Sequence, residues 1–153
     1  MPRNILFVII TLTVPSILCA YEERDSAASP LLSTKQVMEW ILDPATDVIW
    51  DSAGTIITEQ GSRELAPTTE AGWATVRNNA AVVAETGILL QVQGRSRGPG
   101  WNTYSRGLLE AGRVALKAAR AKDSDALFDA GGQLYQACLA CHQRYLVEVA
   151  EDD

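Results

Sequence analysis

Between residues 33 and 150, apolar side chains return every three or four positions in four separate stretches. That spacing lines them along one helical face, and it limits what the chain can fold into more than any other feature. The first stretch runs from Ser33 to Gln60, with Met38, Ile41, Leu42, Ala45, Val48, Ile49, Ala53 and Ile56 on its stripe. Ser33 or Thr34 is placed to cap it, and Pro44 inside it predicts a kink or a split. The second runs from Thr68 to Gln93 on Trp73, Val76, Ala80, Val83, Ala84, Gly87 and Leu90. Gly-Arg-Ser-Arg-Gly-Pro-Gly at 94–100 breaks the pattern. The third runs from Asn102 to Ala121 on Leu108, Leu109, Gly112, Ala115, Leu116 and Ala119. The fourth starts near Asp123 or Ser124, both good caps, and continues to about Ala150 on Leu127, Ala130, Leu134, Cys138, Cys141, Tyr145 and Val149. No convincing strand alternation and no internal repeat stand out in residues 21–153. The expected fold is therefore all-α, an antiparallel four-helix bundle. With 153 residues there is room for one such domain and not for two.

Residues 1–20 are of a different kind. Arg3 supplies a positive start, Ile5 to Leu18 is almost wholly apolar, and Ala20 precedes the charged run Tyr21 to Asp25. This reads as a secretory signal peptide at 1–20 ahead of a domain at 21–153. The apolar run is short for a membrane span, so the remainder is not expected to be an integral membrane protein. Cys19 raises lipidation as a rival reading, but the bulky Leu18 before it fits that signal poorly.

The chain carries 13 basic and 19 acidic residues, a net charge of −6, and loss of Arg3 with the signal would take this to −7. No basic nucleic-acid footprint exists, which sets DNA and RNA aside. An acidic exported protein suits a partner that presents a basic patch.

Cys138-Leu139-Ala140-Cys141-His142 is C-x-x-C-H, the attachment signature of c-type haem. The chemistry explains the spacing. Each thiol adds across one haem vinyl group to form a thioether, and the adjoining histidine is then held beneath the iron. On a helix, positions 138, 141 and 142 share one face. The expected cofactor is one covalent haem c, with Cys138 and Cys141 as its thioether ligands and His142 as the proximal iron ligand. Other readings of the pair are weaker. Structural zinc wants four ligands, and His142 is the sole histidine. A thioredoxin-type redox pair belongs with a βαβ pattern, which is missing. A disulfide between i and i+3 of a helix is geometrically awkward. Attachment of c-type haem occurs outside the bacterial cytoplasm, which agrees with the signal peptide and places the protein in the periplasm.

With these features the chain resembles the class II cytochromes c, the cytochrome c-prime group. The resemblance covers essentially all of residues 21–153: signal peptide, four-helix bundle, and C-x-x-C-H near the C-terminus on the last helix. Its strongest stretch is Leu134 to Tyr145, including the aromatic three positions after the histidine. The family commonly has Arg or Lys next, where this chain has Leu146. Small cytochromes of the other common kind place the motif near the N-terminus. The resemblance implies one-electron transfer to a redox partner, not an enzyme, and it allows a homodimer through the first two helices. It also singles out Met38, the one methionine outside the signal, as the candidate distal iron ligand of a low-spin His/Met member. The other reading of Met38 is a core side chain filling a gap. An open distal site would make the protein a nitric oxide or carbon monoxide binder, the alternative function.

Nothing else points to chemistry. There is no second histidine for acid–base work and no glycine-rich phosphate loop. Trp40, Trp50, Trp73 and Trp101 are expected as core or porphyrin-packing residues. Arg95 and Arg97 are candidates for haem propionates or a partner, although a solvated loop is the expectation. Gly131 and Gly132 on the motif helix cost helix propensity, which suggests a packing reason.

Overall fold

The computed structural model describes residues 30–150. The signal sequence, Cys19 and most of the leader lie outside the described residues. The fold is mostly helical: four helical segments and one small two-stranded sheet.

The first segment is built of three contiguous pieces, α1 (Thr34–Val37), a π-helical turn (Met38–Leu42) and α2 (Asp43–Trp50). Ser33 caps it through a capping box. Its hydroxyl accepts from the Gln36 N–H at 3.2 Å, and the Gln36 side chain accepts from the Ser33 N–H at 2.9 Å. The break expected at Pro44 takes the form of the π turn. Proline offers no N–H and its ring crowds the carbonyl four residues back. The chain widens by one residue just ahead of it, and the Asp43 N–H reaches the Met38 carbonyl. Met38 thus opens the one irregular turn of this helix.

The expected run of helix to Gln60 is not found. Helix ends at Trp50, and residues 55–64 fold instead into a hairpin, β1 (Thr55–Thr58) against antiparallel β2 (Gly61–Glu64), with Thr58 opposite Gly61. Gly54, at φ +92°, turns the chain into it. Thr-Ile-Ile-Thr is four β-branched residues in succession, which favours a strand over a helix. The hairpin is exposed along both strands.

α3 (Glu70–Leu89) starts at the Thr69 cap, whose hydroxyl accepts the Gly72 N–H at 3.0 Å. Its buried face contains every residue of the expected stripe, Leu90 included. It ends four residues earlier than expected, in a turn that closes with the Arg95 N–H on the Val92 carbonyl. α4 (Pro99–Ala121) starts three residues earlier than expected, with Pro99 in its first turn, where a missing N–H costs nothing. α5 (Ser124–Ala150) is capped by Asp123, whose carboxylate accepts the Ala126 N–H at 2.9 Å.

α3 and α4 approach each other most closely, at two glycines. A Cβ on Gly87 would stand 2.6 Å from the Leu109 backbone nitrogen, and one on Gly112 would stand 2.6 Å from that of Ala84. α4 also packs on α5, and the first segment packs on both α3 and α5. The core between them is aliphatic, with Val37, Ile49, Val76, Val83, Leu127 and Leu134 all but fully buried. Among the described residues no helix is long and apolar enough to cross a membrane.

Candidate functional site

Cys138, Cys141 and His142 occupy one turn of α5, where its buried stripe emerges toward the surface. Leu134 is fully buried, the two cysteines are half-buried, and His142 is exposed. Both thiols are free. Burial pushes the Cys138 thiol above its usual pKa, and the neighbouring Cys141 and Asp43 push the same way. Burial also raises the Cys141 thiol, against the pull of the nearby Arg97 charge.

Two clefts open on this turn. One is narrow, about 20 Å³, and partly open to solvent. The first helical segment contributes Met38 and Leu42 to it, the end of α3 contributes Leu90, α4 contributes Tyr104, Ser105 and Leu108, and α5 contributes Ala137, Cys138, Cys141 and His142. The other, of about 270 Å³, lies toward α2 and the preceding turn of α5, and adds Asp43, Thr46, Trp50, Tyr135 and Leu139. Met38, Leu42, Cys138 and His142 line both. Met38, Cys138, Cys141 and His142, the four candidate ligands read from the sequence, all line the first cleft, although Met38 and Cys138 stand a hundred positions apart in the chain. Of the polar groups in the walls, Ser105 donates to the Trp101 carbonyl at 3.0 Å and the Thr46 hydroxyl donates to the Leu42 and Asp43 carbonyls.

No protein-family model, curated protein or solved structure matches the chain.

An aromatic cluster backs the motif. Tyr145 packs edge-on against Trp101, centroids 5.0 Å apart, and against Tyr104 at 5.9 Å. Trp101 is buried, with its indole N–H on the Leu90 carbonyl at 2.7 Å. The Arg97 guanidinium lies over the Trp101 ring, 5.1 Å from its centroid. The other tryptophans divide by place. Trp73 is core, Trp50 lines the larger cleft, and Trp40 is 60% exposed.

The expectation of a solvated loop holds for Arg97 and fails for Arg95. Arg95 is only 7% exposed, and its Nη2 donates to the Leu32 carbonyl at 3.0 Å. The turn after α3 folds it inward beneath the segment that leads into α1. The packing reason suspected at the paired glycines belongs to Gly131 alone. Its carbonyl accepts the Trp50 indole N–H at 3.0 Å, whereas nothing stands within 4 Å of a Cβ on Gly132.

Leu42, Tyr104 and Ser105 were not singled out for the site. Leu42 carried only a core signal, and nothing in the sequence around Tyr104 or Ser105 marks a cleft wall. Among the described residues no three His, Cys, Asp or Glu side chains stand together as a metal-ion site.

Proposed function

We propose that this chain is a periplasmic monohaem cytochrome of the class II kind, an antiparallel four-helix bundle that carries single electrons. In this reading Cys138 and Cys141 hold haem c through thioethers, His142 is the proximal iron ligand and Met38 the distal one. Residues 1–20 are the signal peptide, and the partner is a redox protein with a basic patch that meets a chain of net charge −6. The observation that carries the reading is the shared groove: C-x-x-C-H on one helix lines the same clefts as the one methionine of residues 21–153.

The residues present fit the group. A haem needs two thiols on one helical face, an axial nitrogen beside them, and apolar walls for its faces. α5 provides the first two, and Leu42, Leu90, Leu108 and Ala137 provide the third. When bound, haem supplies a one-electron ferric/ferrous couple. The protein's part is to hold it rigidly, exclude water from the iron, and set the potential through axial ligands and burial. A thioether sulfur at Met38 raises that potential relative to a water or an empty position.

One observation favours the gas-binding alternative. Leu42, one turn beyond Met38, lines the same two clefts. If Leu42 rather than Met38 covers the iron, the sixth position is open to nitric oxide or carbon monoxide.

The deciding experiment is the visible spectrum of the protein from a host that attaches c-type haem, oxidised and then reduced. Sharp low-spin bands on reduction and resistance to carbon monoxide support His/Met ligation and electron transfer. Broad high-spin bands with ready carbon monoxide binding select the gas-binding reading. A protein mass equal to the bare chain overturns both.

A further inference from the structure

The link between α2 and α3 spans residues 51–69. Neighbouring helices of a bundle need only roughly 2–8 residues between them. The hairpin inside this link is exposed along both strands, and Ile57 is 80% exposed. A lone two-stranded hairpin is marginal in water, and an uncovered apolar strand edge invites pairing. The hairpin has one neighbour. Between it and the first turns of α5 lies a partly open groove of about 510 Å³, whose walls include Gly54, Thr55, Glu64, Asp125, Phe128 and Asp129.

Thr55 and Glu64 are cross-strand partners, so Ile57 and Ser62, two positions along each strand, share their face. Ile56 and Arg63 take the other face. Phe128 is 60% exposed, and one edge of its ring rests against Gly54, where a Cβ would stand 3.3 Å from two ring carbons. The groove thus joins an apolar sheet face to an aromatic ring, with three carboxylates around them. Among the described residues Asp125 and Asp129 have no ion-pair partner, and Glu64 accepts from the Thr55 hydroxyl. Lys122, just before α5, is paired with Glu70.

We propose that this groove docks a basic segment of a partner protein, with an apolar side chain on Ile57 and an arginine or lysine over the Phe128 ring, among Glu64, Asp125 and Asp129. Charge selects the occupant. A second copy would meet the face with the same carboxylates, because a two-fold contact uses one patch twice. Residues 21–29 carry three carboxylates against one arginine, so the chain's own leader is repelled as well. A cation suits both parts of the groove, since carboxylates and the face of an aromatic ring each attract it. Phe128 lies ten residues of helix, about 15 Å, ahead of Cys138. The docking site makes no use of the clefts at the C-x-x-C-H turn, so it stands or falls apart from the cytochrome reading.

The test is an NMR titration of the full chain with acetyl-Arg-Leu-Arg-amide, and with acetyl-Glu-Leu-Glu-amide as the reversed-charge control. The expected result is saturable shifts at the Ile57 methyls and the Phe128 ring with the basic peptide only, weakened by added salt. Phe128→Leu retains an apolar side chain without the π face, and should weaken binding about two- to fivefold. Asp125→Asn and Asp129→Asn should each weaken it by about the same factor. All three positions are exposed, and circular dichroism reads whether each variant keeps the fold. Shifts that centre on the first helical segment, or binding that survives all three substitutions, mean that overall negative charge alone attracts the peptide, and the proposal falls. It falls equally if no shifts appear. Calcium ions that produce the shifts where the peptide does not would mark a metal site and overturn it. A dimer in sedimentation that Ile57→Asp disperses gives the face to a second copy and overturns it too.

Discussion

The Trp50 indole nitrogen donates to the Gly131 carbonyl at 3.0 Å, across 81 positions of sequence. The bond joins the end of the first helical segment to α5 two turns before the C-x-x-C-H motif. It exists because Gly131 has no side chain. A Cβ there would stand 3.2 Å from Cδ1 of the same indole. Its neighbour Gly132 has open space around it. The two adjacent glycines therefore predict different outcomes for the same substitution. Gly132→Ala should stabilise the protein by about 0.5–1 kcal/mol through helix propensity alone. Gly131→Ala should gain less or lose stability, because the indole must give way. Chemical denaturation of the two variants side by side checks this, and equal gains at both positions would refute the packing role of Gly131.

Gly87 and Gly112 make a stronger prediction. At each, a Cβ would fall 2.6 Å from a backbone nitrogen of the facing helix, and no rotamer change can relieve that contact. Either glycine changed to alanine should push α3 and α4 apart and cost about 1–3 kcal/mol, even though alanine is the better helix former. Thermal melting should show a lower midpoint for both variants. Gly107→Ala on α4, with nothing within 4 Å, serves as the control that should not fall.

These glycines also show where sequence was legible and where it was not. The α3 stripe from Trp73 to Leu90 was readable because burial on one helical face leaves a period that needs no knowledge of the partner. The C-x-x-C-H spacing was readable because it is local, and the structure sets its three chemical residues on one turn of α5 beside the clefts. The hairpin was not, although Thr55 to Thr58 are all β-branched: Ala53 and Ile56 fell in phase with the preceding helix, and Glu59-Gln60 is not a Gly-containing turn pair. Arg95 was misjudged for another reason. A glycine-rich loop sequence carries no period, so nothing local said that its arginine would turn inward under Leu32. Tyr104 and Ser105 line the cleft only because α4 crosses there, which is tertiary information.

On the proposed cytochrome reading, replacing either motif cysteine should remove one thioether and not the other. Cys138 and Cys141 are both half-buried at the cleft and each would form its own bond. Cys138→Ala and Cys141→Ala should each yield much less holoprotein from a haem-attaching host. The double variant should yield no covalent haem, read as protein mass after denaturation in acid. Undiminished covalent haem in the double variant would place the attachment elsewhere.

Met38 and Leu42 line the same two clefts, and on the proposed cytochrome reading a pair of substitutions separates them as candidates for the position over the iron. Met38 opens the π turn ahead of Pro44, and π turns inside α-helices are frequent at functional sites. If Met38 is the ligand, Met38→Ala converts a low-spin spectrum to a high-spin one, lowers the reduction potential and opens the iron to carbon monoxide. Leu42→Ala should then leave the spectrum low-spin and cost about 2–5 kcal/mol of stability, as expected for a buried leucine packed in the core. If the iron is instead five-coordinate in the wild type, Met38→Ala leaves the spectrum unchanged. Leu42→Ala then speeds carbon monoxide binding, because the side chain removed is the one that screens the open face.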